Sequence, residues 1–414
     1  MCSSSGGGSG GGSSSSSGGG DCGGGGSSSV VASPPMSAPA AAPAVVSMPP
    51  RVRALLHSSW AVFDPDSAAA IGYLNERLEF GEFAHARSTF QEHLEGTFGV
   101  LGAWGQPPDI CRCGLFHTAY SGDLFSFFYW DAANESHRRE LSEVVGHAAE
   151  EMIWHFGTVH RGSIASMSAV IDGNGADAPR LSADPDERIA LSHRLQGSLE
   201  VSNALAAKLI VVTIADYLEQ MVAVNGWRDH HQHEDLADVL YPGDGRPAVA
   251  LYWLSALCRA VRHHLEVVPP VFDGCTSVLA REDEEAAVTS YWTVVLQESS
   301  LSPARQTEML EVAAARNPFV GEPHVLLAQL AYRAGDYARA RAQAGHALAK
   351  MYALCTQWDK RRSYANWVAY TRMLHLRASR KLEGLASWPL GTNTPPSHSG
   401  MPLASIRDIV SMLP

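Results

Sequence analysis

From Arg51 onward, apolar residues recur every three or four positions, the spacing of an amphipathic helix, and no segment sustains the alternation of a half-buried strand. Ser67 is placed to cap a helix through AAAIGYLNERL, whose Ile71, Leu74 and Leu78 share one face. A second helix carries Ser88 through Trp104 and stops at Gly105, with Pro107 and Pro108 marking the break. Asp109 can cap the next, Ile110 to Ala119, which ends near Ser121 and Gly122. Asp123 to Trp130 is aromatic-rich and suits a core or a pocket wall. Helical periodicity resumes over Glu135–Phe156; after a loop at 162–185, another helix is predicted to open at Asp184 and run through Ile189 and Leu191. Leu205–Val224 is the most apolar stretch of this part and is closed by Gly226. Past a polar segment at 227–242, helices are predicted over Ala248–His264 and Asp283–Leu296. The body is expected to be all-α.

Further on, Leu327, Ala328, Gly335, Tyr337, Ala340, Ala344 and Ala347 stand at the offsets of one tetratricopeptide unit, two helices joined at Ala334-Gly335-Asp336. Helices over Ala304–Ala315 and Tyr364–Ala378 flank it, and Trp358, Trp367 and Trp388 are placed to cover the ends of a short stack. The first 50 residues are the opposite case. Gly and Ser, then Ala, Pro and Val, offer too little apolar surface to offset the entropy of ordering, so 1–50 is expected to be disordered. The expected organisation is a 1–50 tail, a helical domain at 51–227, a connecting segment at 228–302, tetratricopeptide-like helices at 303–388 and a 389–414 tail.

Composition narrows the partners. A formal net charge of −12 lacks the basic footprint of general nucleic-acid binding, although basic residues dominate from Arg333 to Lys381. No run reaches the roughly 18 apolar residues of a membrane span, and the first residues lack the basic start and apolar core of a secretory signal. The seven cysteines show neither a disulfide framework nor zinc-finger spacing and read as reduced, buried thiols of an intracellular, cytoplasmic protein.

The candidate chemistry lies in three residues. Asp216 sits inside IVVTIADYL, where an uncompensated carboxylate is costly to bury, so it needs donors or a cation. His93 and His117 fall on the two helices either side of the Gly105–Pro108 turn, and a hairpin there can bring both imidazoles to one face. Two imidazoles and a carboxylate suit a divalent metal such as Mn, Fe or Zn, with positions left open. His85 is a candidate extra ligand, and Asp123, Asp131 or Glu219 a candidate acid or base.

The order of His93, His117 in GLFH 24 residues later, and Asp216 in KLIVVTIADYLEQM (208–221) resembles the HD superfamily of metal-dependent phosphohydrolases. The nearest pattern is that of the stringent-response (p)ppGpp hydrolase domains, whose first two histidines are about 24 residues apart. ELSEVVGHAAEEMIWHFGTV (140–159) is similar to a further segment of theirs. Over 51–388, GLFH, ADYLEQ, LYPG, PPVFD and WDKR also resemble an uncharacterised domain-of-unknown-function family with a tetratricopeptide-like tail. The resemblance implies an HD-like helical fold, a metal on His93, His117 and Asp216, and a small phosphorylated ligand; the C-terminal helices are a candidate protein-binding surface. Three positions depart from the pattern: Thr118 stands where these hydrolases have the metal-binding Asp, and Ser121 and Gly122 where they have Glu-Asp. Three readings follow: a degenerate HD-like module that binds a ligand or acts as a scaffold, a metal-dependent enzyme (phosphohydrolase or oxygenase) with a two-His one-Asp site, and an all-helical interaction protein whose likeness to the HD pattern is accidental.

Overall fold

The structure, a computed structural model, describes residues 47–85, 88–122, 129–160, 163–164, 181–182, 184–220 and 245–381. The Gly/Ser-rich 1–46, Asp123, most of the 162–185 loop, the stretch 221–244 and residues 382–414 with Trp388 lie outside them.

Helices dominate, as the periodicity predicts. In chain order they are α1 (Pro50–Leu56), α2 (Ser67–Leu78), α3 (Phe90–Ala103), α4 (Pro108–Phe116), α5 (Glu135–Val145), α6 (His147–Thr158) and α7 (Asn203–Gln220). There follow α8 (Leu251–Val261), a short left-handed turn numbered α9 (Val271–Cys275), α10 (Arg281–Gln297), α11 (Pro303–Arg316), α12 (Glu322–Arg333), α13 (Tyr337–Leu354) and α14 (Tyr364–Arg380). Strands among the described residues form two antiparallel pairs, β1 (Ala84–His85) with β2 (Ser88–Thr89) and β3 (Arg188–His193) with β4 (Gly197–Ser202).

The β3–β4 pair corrects the helix expected through Ile189 and Leu191. Ile189, Leu191 and His193 are buried while Arg188, Ala190 and Ser192 are exposed, a period of two. The segment pairs in register from Arg188↔Ser202 to His193↔Gly197, and a bridge between Val159 and His193 ties it to the end of α6. The single segment expected over Glu135–Phe156 is likewise two helices. Gly146 breaks it with φ of 87°, a conformation that a side chain would strain. Two capping expectations also shift. Asp66, not Ser67, occupies the N-cap of α2, and Ser67 is buried as its first residue. Pro107 occupies the N-cap of α4 and Asp109 lies in its first turn, where its charge suits the positive end of the helix.

α7 is the central element and packs against α3, α4, α6 and α8. Leu209, Ile210, Val211, Val212 and Ile214 are each at most 1% exposed. Burying side chains of this size contributes roughly 1.5–3 kcal/mol apiece before the entropy of ordering is subtracted. Among the described residues the larger of two clusters of buried side chains runs from Val52 through Val368.

α12 and α13 form the hairpin expected at Ala334-Gly335-Asp336. The Asp336 side chain accepts from Arg339 N at 3.0 Å, and Ala328, Ala331, Ala340 and Ala344 fill the interface. After α13 the chain passes through Cys355–Arg361, almost all of it buried. Glu322 Oε1 accepts from Trp358 N at 2.7 Å, and Asp359 accepts from Tyr291 Oη at 2.6 Å and pairs with Arg361. No helix among the described residues is long and apolar enough to cross a membrane.

Candidate metal centre

α3 begins with a reciprocal cap: Thr89 Oγ1 accepts from Glu92 N at 3.2 Å and Glu92 Oε2 accepts from Thr89 N at 3.1 Å. That fixes the first turn, on which His93 faces inward, 2% exposed. His117 directly follows α4, whose packing against α3 brings its ring over from the other arm of the hairpin. Asp216 projects from the buried length of α7. The structure therefore brings His93, His117 and Asp216 together, with one ligand atom of each within 4.8 Å of the others.

The approach is closer than that limit. His93 Nε2 lies 3.4 Å from His117 Nε2 and 3.4 Å from Asp216 Oδ1, and His117 Nε2 lies 3.5 Å from the same oxygen. A tetrahedral ion bound at about 2.0–2.1 Å holds neighbouring ligand atoms about 3.3 Å apart.

Both outer ring nitrogens are already committed. His117 Nδ1 is 2.7 Å from Gly114 O, and His93 Nδ1 is 2.5 Å from Glu219 Oε2. A carbonyl and a carboxylate can only accept, so each Nδ1 carries a proton, and each ring when neutral turns its Nε2 lone pair inward. Carboxylate and carbonyl partners on the far nitrogen are the usual outer shell of a metal-bound histidine. Two lone pairs and an anionic oxygen facing one point repel one another unless a positive charge sits among them. Without a metal that charge is a proton. Burial disfavours protonated His93, but hydrogen bonds and charge from Asp216 and Glu219 outweigh it and raise its pKa to about 9.

The support extends outward. Gln220, one turn beyond Asp216, donates from Nε2 to Asp216 Oδ1 at 2.7 Å and accepts from His85 Nε2 at 2.8 Å. His85 is thus two hydrogen bonds from Asp216 and outside the three-residue cluster. Gly96 makes room for Glu219, because a Cβ there would lie 2.7 Å from Glu219 Cγ. Lys360, 7% exposed, donates to the carbonyls of Leu218 at 2.7 Å and Glu219 at 2.6 Å. It anchors the part of α7 from which Glu219 and Gln220 project.

Among the candidate acids, Glu219 takes the outer position on His93. Asp131 is exposed and accepts from Ala133 N at 2.9 Å in its own turn, and no contact connects it to the cluster among the described residues. The chain after His117 is held by Arg194, which donates to the carbonyls of Tyr120, Ser121 and Gly122 at 3.2, 2.9 and 3.5 Å. Where the hydrolases resembled in sequence carry two acidic side chains, this protein presents backbone oxygens to an arginine. Sequence reasoning missed Gln220, Lys360 and Arg194. The i+3 and i+4 positions after Asp216 would have found Glu219 and Gln220 together, whereas no sequence signal joins Lys360 or Arg194 to the site.

Fold and site define a predominantly helical protein with a buried His-His-Asp cluster able to hold a metal ion. A family model, Domain of unknown function (DUF6817), matches residues 74–161, which include His93 and His117 but not Asp216. No curated protein and no solved structure matches the chain.

Proposed function

We propose that the protein is a metal-binding protein that holds one divalent cation (Mn, Fe or Zn) between His93, His117 and Asp216 on an HD-like helical scaffold. One observation carries the reading: the mutual 3.4–3.5 Å spacing of three inward donor atoms, with both outer imidazole nitrogens already engaged. A bound cation supplies Lewis acidity, which polarises a carbonyl or phosphoryl oxygen and lowers the pKa of water. The chain's own residues hold it: Glu219 and Gly114 O orient the imidazoles, and Gln220 orients Asp216. Elemental analysis and calorimetry test this, with one site per chain expected and loss of binding in His93→Ala and Asp216→Asn. Wild-type protein that binds no more metal than His93→Ala overturns it.

A second reading concerns use of the site rather than its existence. Thr118, Ser121 and Gly122 supply no acid, and Arg194 occupies the backbone where acids stand in the hydrolases, which favours a ligand-binding or scaffolding module over a phosphohydrolase. Metal-loaded protein that binds a small phosphorylated compound without turning it over supports the module. Turnover abolished by Asp216→Asn supports the enzyme. We read α12 and α13 as a tetratricopeptide-like hairpin serving its own chain, because the buried segment after α13 sends Lys360 to α7.

A further inference from the structure

The WDKR neighbourhood and the cation site leave one chemically distinctive contact unexplained, on α8 and α9. Cys258 lies on the buried side of α8 and Cys275 ends α9, and neither is measurably exposed. Their sulfurs are 2.7 Å apart. That is well inside the separation of about 3.6 Å kept by large non-bonded atoms, and beyond the roughly 2.05 Å of a covalent sulfur–sulfur bond.

The backbone adopts an unusual course to make this contact. Phe272, Asp273, Gly274 and Cys275 have φ of 51°, 49°, 67° and 65°, four successive left-handed residues of which only one is glycine. L-residues enter that region singly as a rule, because Cβ then crowds the following carbonyl. The turn buries Phe272 edge-on to Phe319, with ring centroids 5.0 Å apart, and drives Cys275 against α8. Other buried thiols behave differently: Cys111 and Cys355 donate to the carbonyls of Gln106 and Tyr352.

We propose that Cys258 and Cys275 are a modification site, joined in an intramolecular disulfide by exchange with a low-molecular-weight disulfide such as oxidised glutathione. Cys275, carried on the short α9 turn rather than within the longer helix α8, is the thiol that opening of the turn frees to attack. The hydrogen bond shared with Cys258, which either sulfur can donate, lowers the Cys275 pKa against the effect of burial, helped by the charge of Arg262. The Cys275 thiolate attacks one glutathione sulfur, forms a mixed disulfide and releases one glutathione thiolate. Cys258 gives up its proton and attacks the Cys275 sulfur, and the second glutathione leaves. Two protein thiols are oxidised, one glutathione disulfide is reduced to two thiols, and the protons pass to the released thiolates. Both sulfurs are enclosed, so the first attack waits on opening of the α9 turn and the reaction takes minutes to hours.

The test uses the full-length chain, reduced and then equilibrated with mixtures of oxidised and reduced glutathione. Remaining thiols are alkylated in denaturant and peptides are mapped by mass spectrometry. Trypsin cleaves at Arg259 and Arg262, between the two cysteines, so a linked pair of peptides identifies the bond. The expected result is that linked pair, reversed by reductant, with a rise in unfolding temperature of about 3–5 °C for closure of so short a loop in a chain of this size. Cys258→Ser should instead accumulate a glutathione adduct on Cys275. Both cysteines alkylated at every glutathione ratio, or separate adducts on each in the wild type, overturn the proposal. The wild-type result stands alone should the variant fail to fold, and none of these readouts depends on metal.

Discussion

Replacing Glu219 by Gln changes the charge behind His93 while keeping the length of the side chain. In the wild-type protein Glu219 Oε2 accepts from His93 Nδ1 at 2.5 Å, opposite the Nε2 face that meets Asp216. Charge-assisted hydrogen bonds contribute about 1.5–3 kcal/mol net and neutral ones about 0.5–1.5 kcal/mol. The carboxylate is 20% exposed, so water screens part of its charge. The substitution should therefore weaken the hold on His93 by about 1 kcal/mol, and at most about 2. That corresponds to a loss of roughly 5- to 30-fold in metal affinity, overlapping the lower part of the roughly 10- to 100-fold range typical of outer-shell partners. Titration calorimetry or chelator competition with Zn²⁺ or Mn²⁺ reads the change directly. Stoichiometry should stay at one per chain, because the Gln oxygen can still accept from Nδ1, and Glu219→Ala should lose more. Wild-type protein that binds metal alongside a Glu219→Gln variant of equal affinity would refute the role given to the outer carboxylate.

Other outcomes follow from the same geometry. Lys360→Met leaves the carbonyls of Leu218 and Glu219 without their donor; it should lower unfolding free energy by about 1–3 kcal/mol and weaken metal binding, measured by denaturant titration and calorimetry. Gly96→Ala puts a methyl 2.7 Å from Glu219 Cγ, so metal affinity should fall by no more than in Glu219→Ala, while overpacking costs about 1–3 kcal/mol of stability in thermal melts. His155 is buried, and desolvation with the nearby charges of His193 and Arg138 lowers its pKa to about 4. Its folded value lies below the unfolded 6.5, so its contribution to stability is full above pH 6.5 and is lost as pH falls toward 4. Urea midpoints should drop across that window, and less so in His155→Gln.

The helical body was legible because its signals are local. Gly105 and Pro107–Pro108 end α3, and the seven spaced positions of the α12–α13 hairpin, five of them Ala or Gly, announce a close helix pair. The β3–β4 pair was not, since Ile189 and Leu191 alone are too short a run to separate a period of two from one of 3.6. What decides it is pairing with Gly197–Ser202, information carried by another segment. The break at Gly146 was hidden for a related reason: apolar residues continue on both sides, and only the backbone angle shows the interruption. At the candidate site, the cost of burying Asp216 pointed to a partner without naming it. His93 and His117 could be nominated from the turn between them, but Lys360 lies more than a hundred residues beyond the helix it anchors, and contacts of that range leave no periodic trace.

The most direct test is metal content after purification and reloading, measured by plasma mass spectrometry on the wild type beside His93→Ala, His117→Ala and Asp216→Asn, with circular dichroism to confirm that each variant is folded. One equivalent of a divalent cation on the wild type and none on the three variants is the predicted result. A folded wild type that takes up no more metal than its variants would contradict it, and the cluster would then be a proton-bridged core of two imidazoles and a carboxylate.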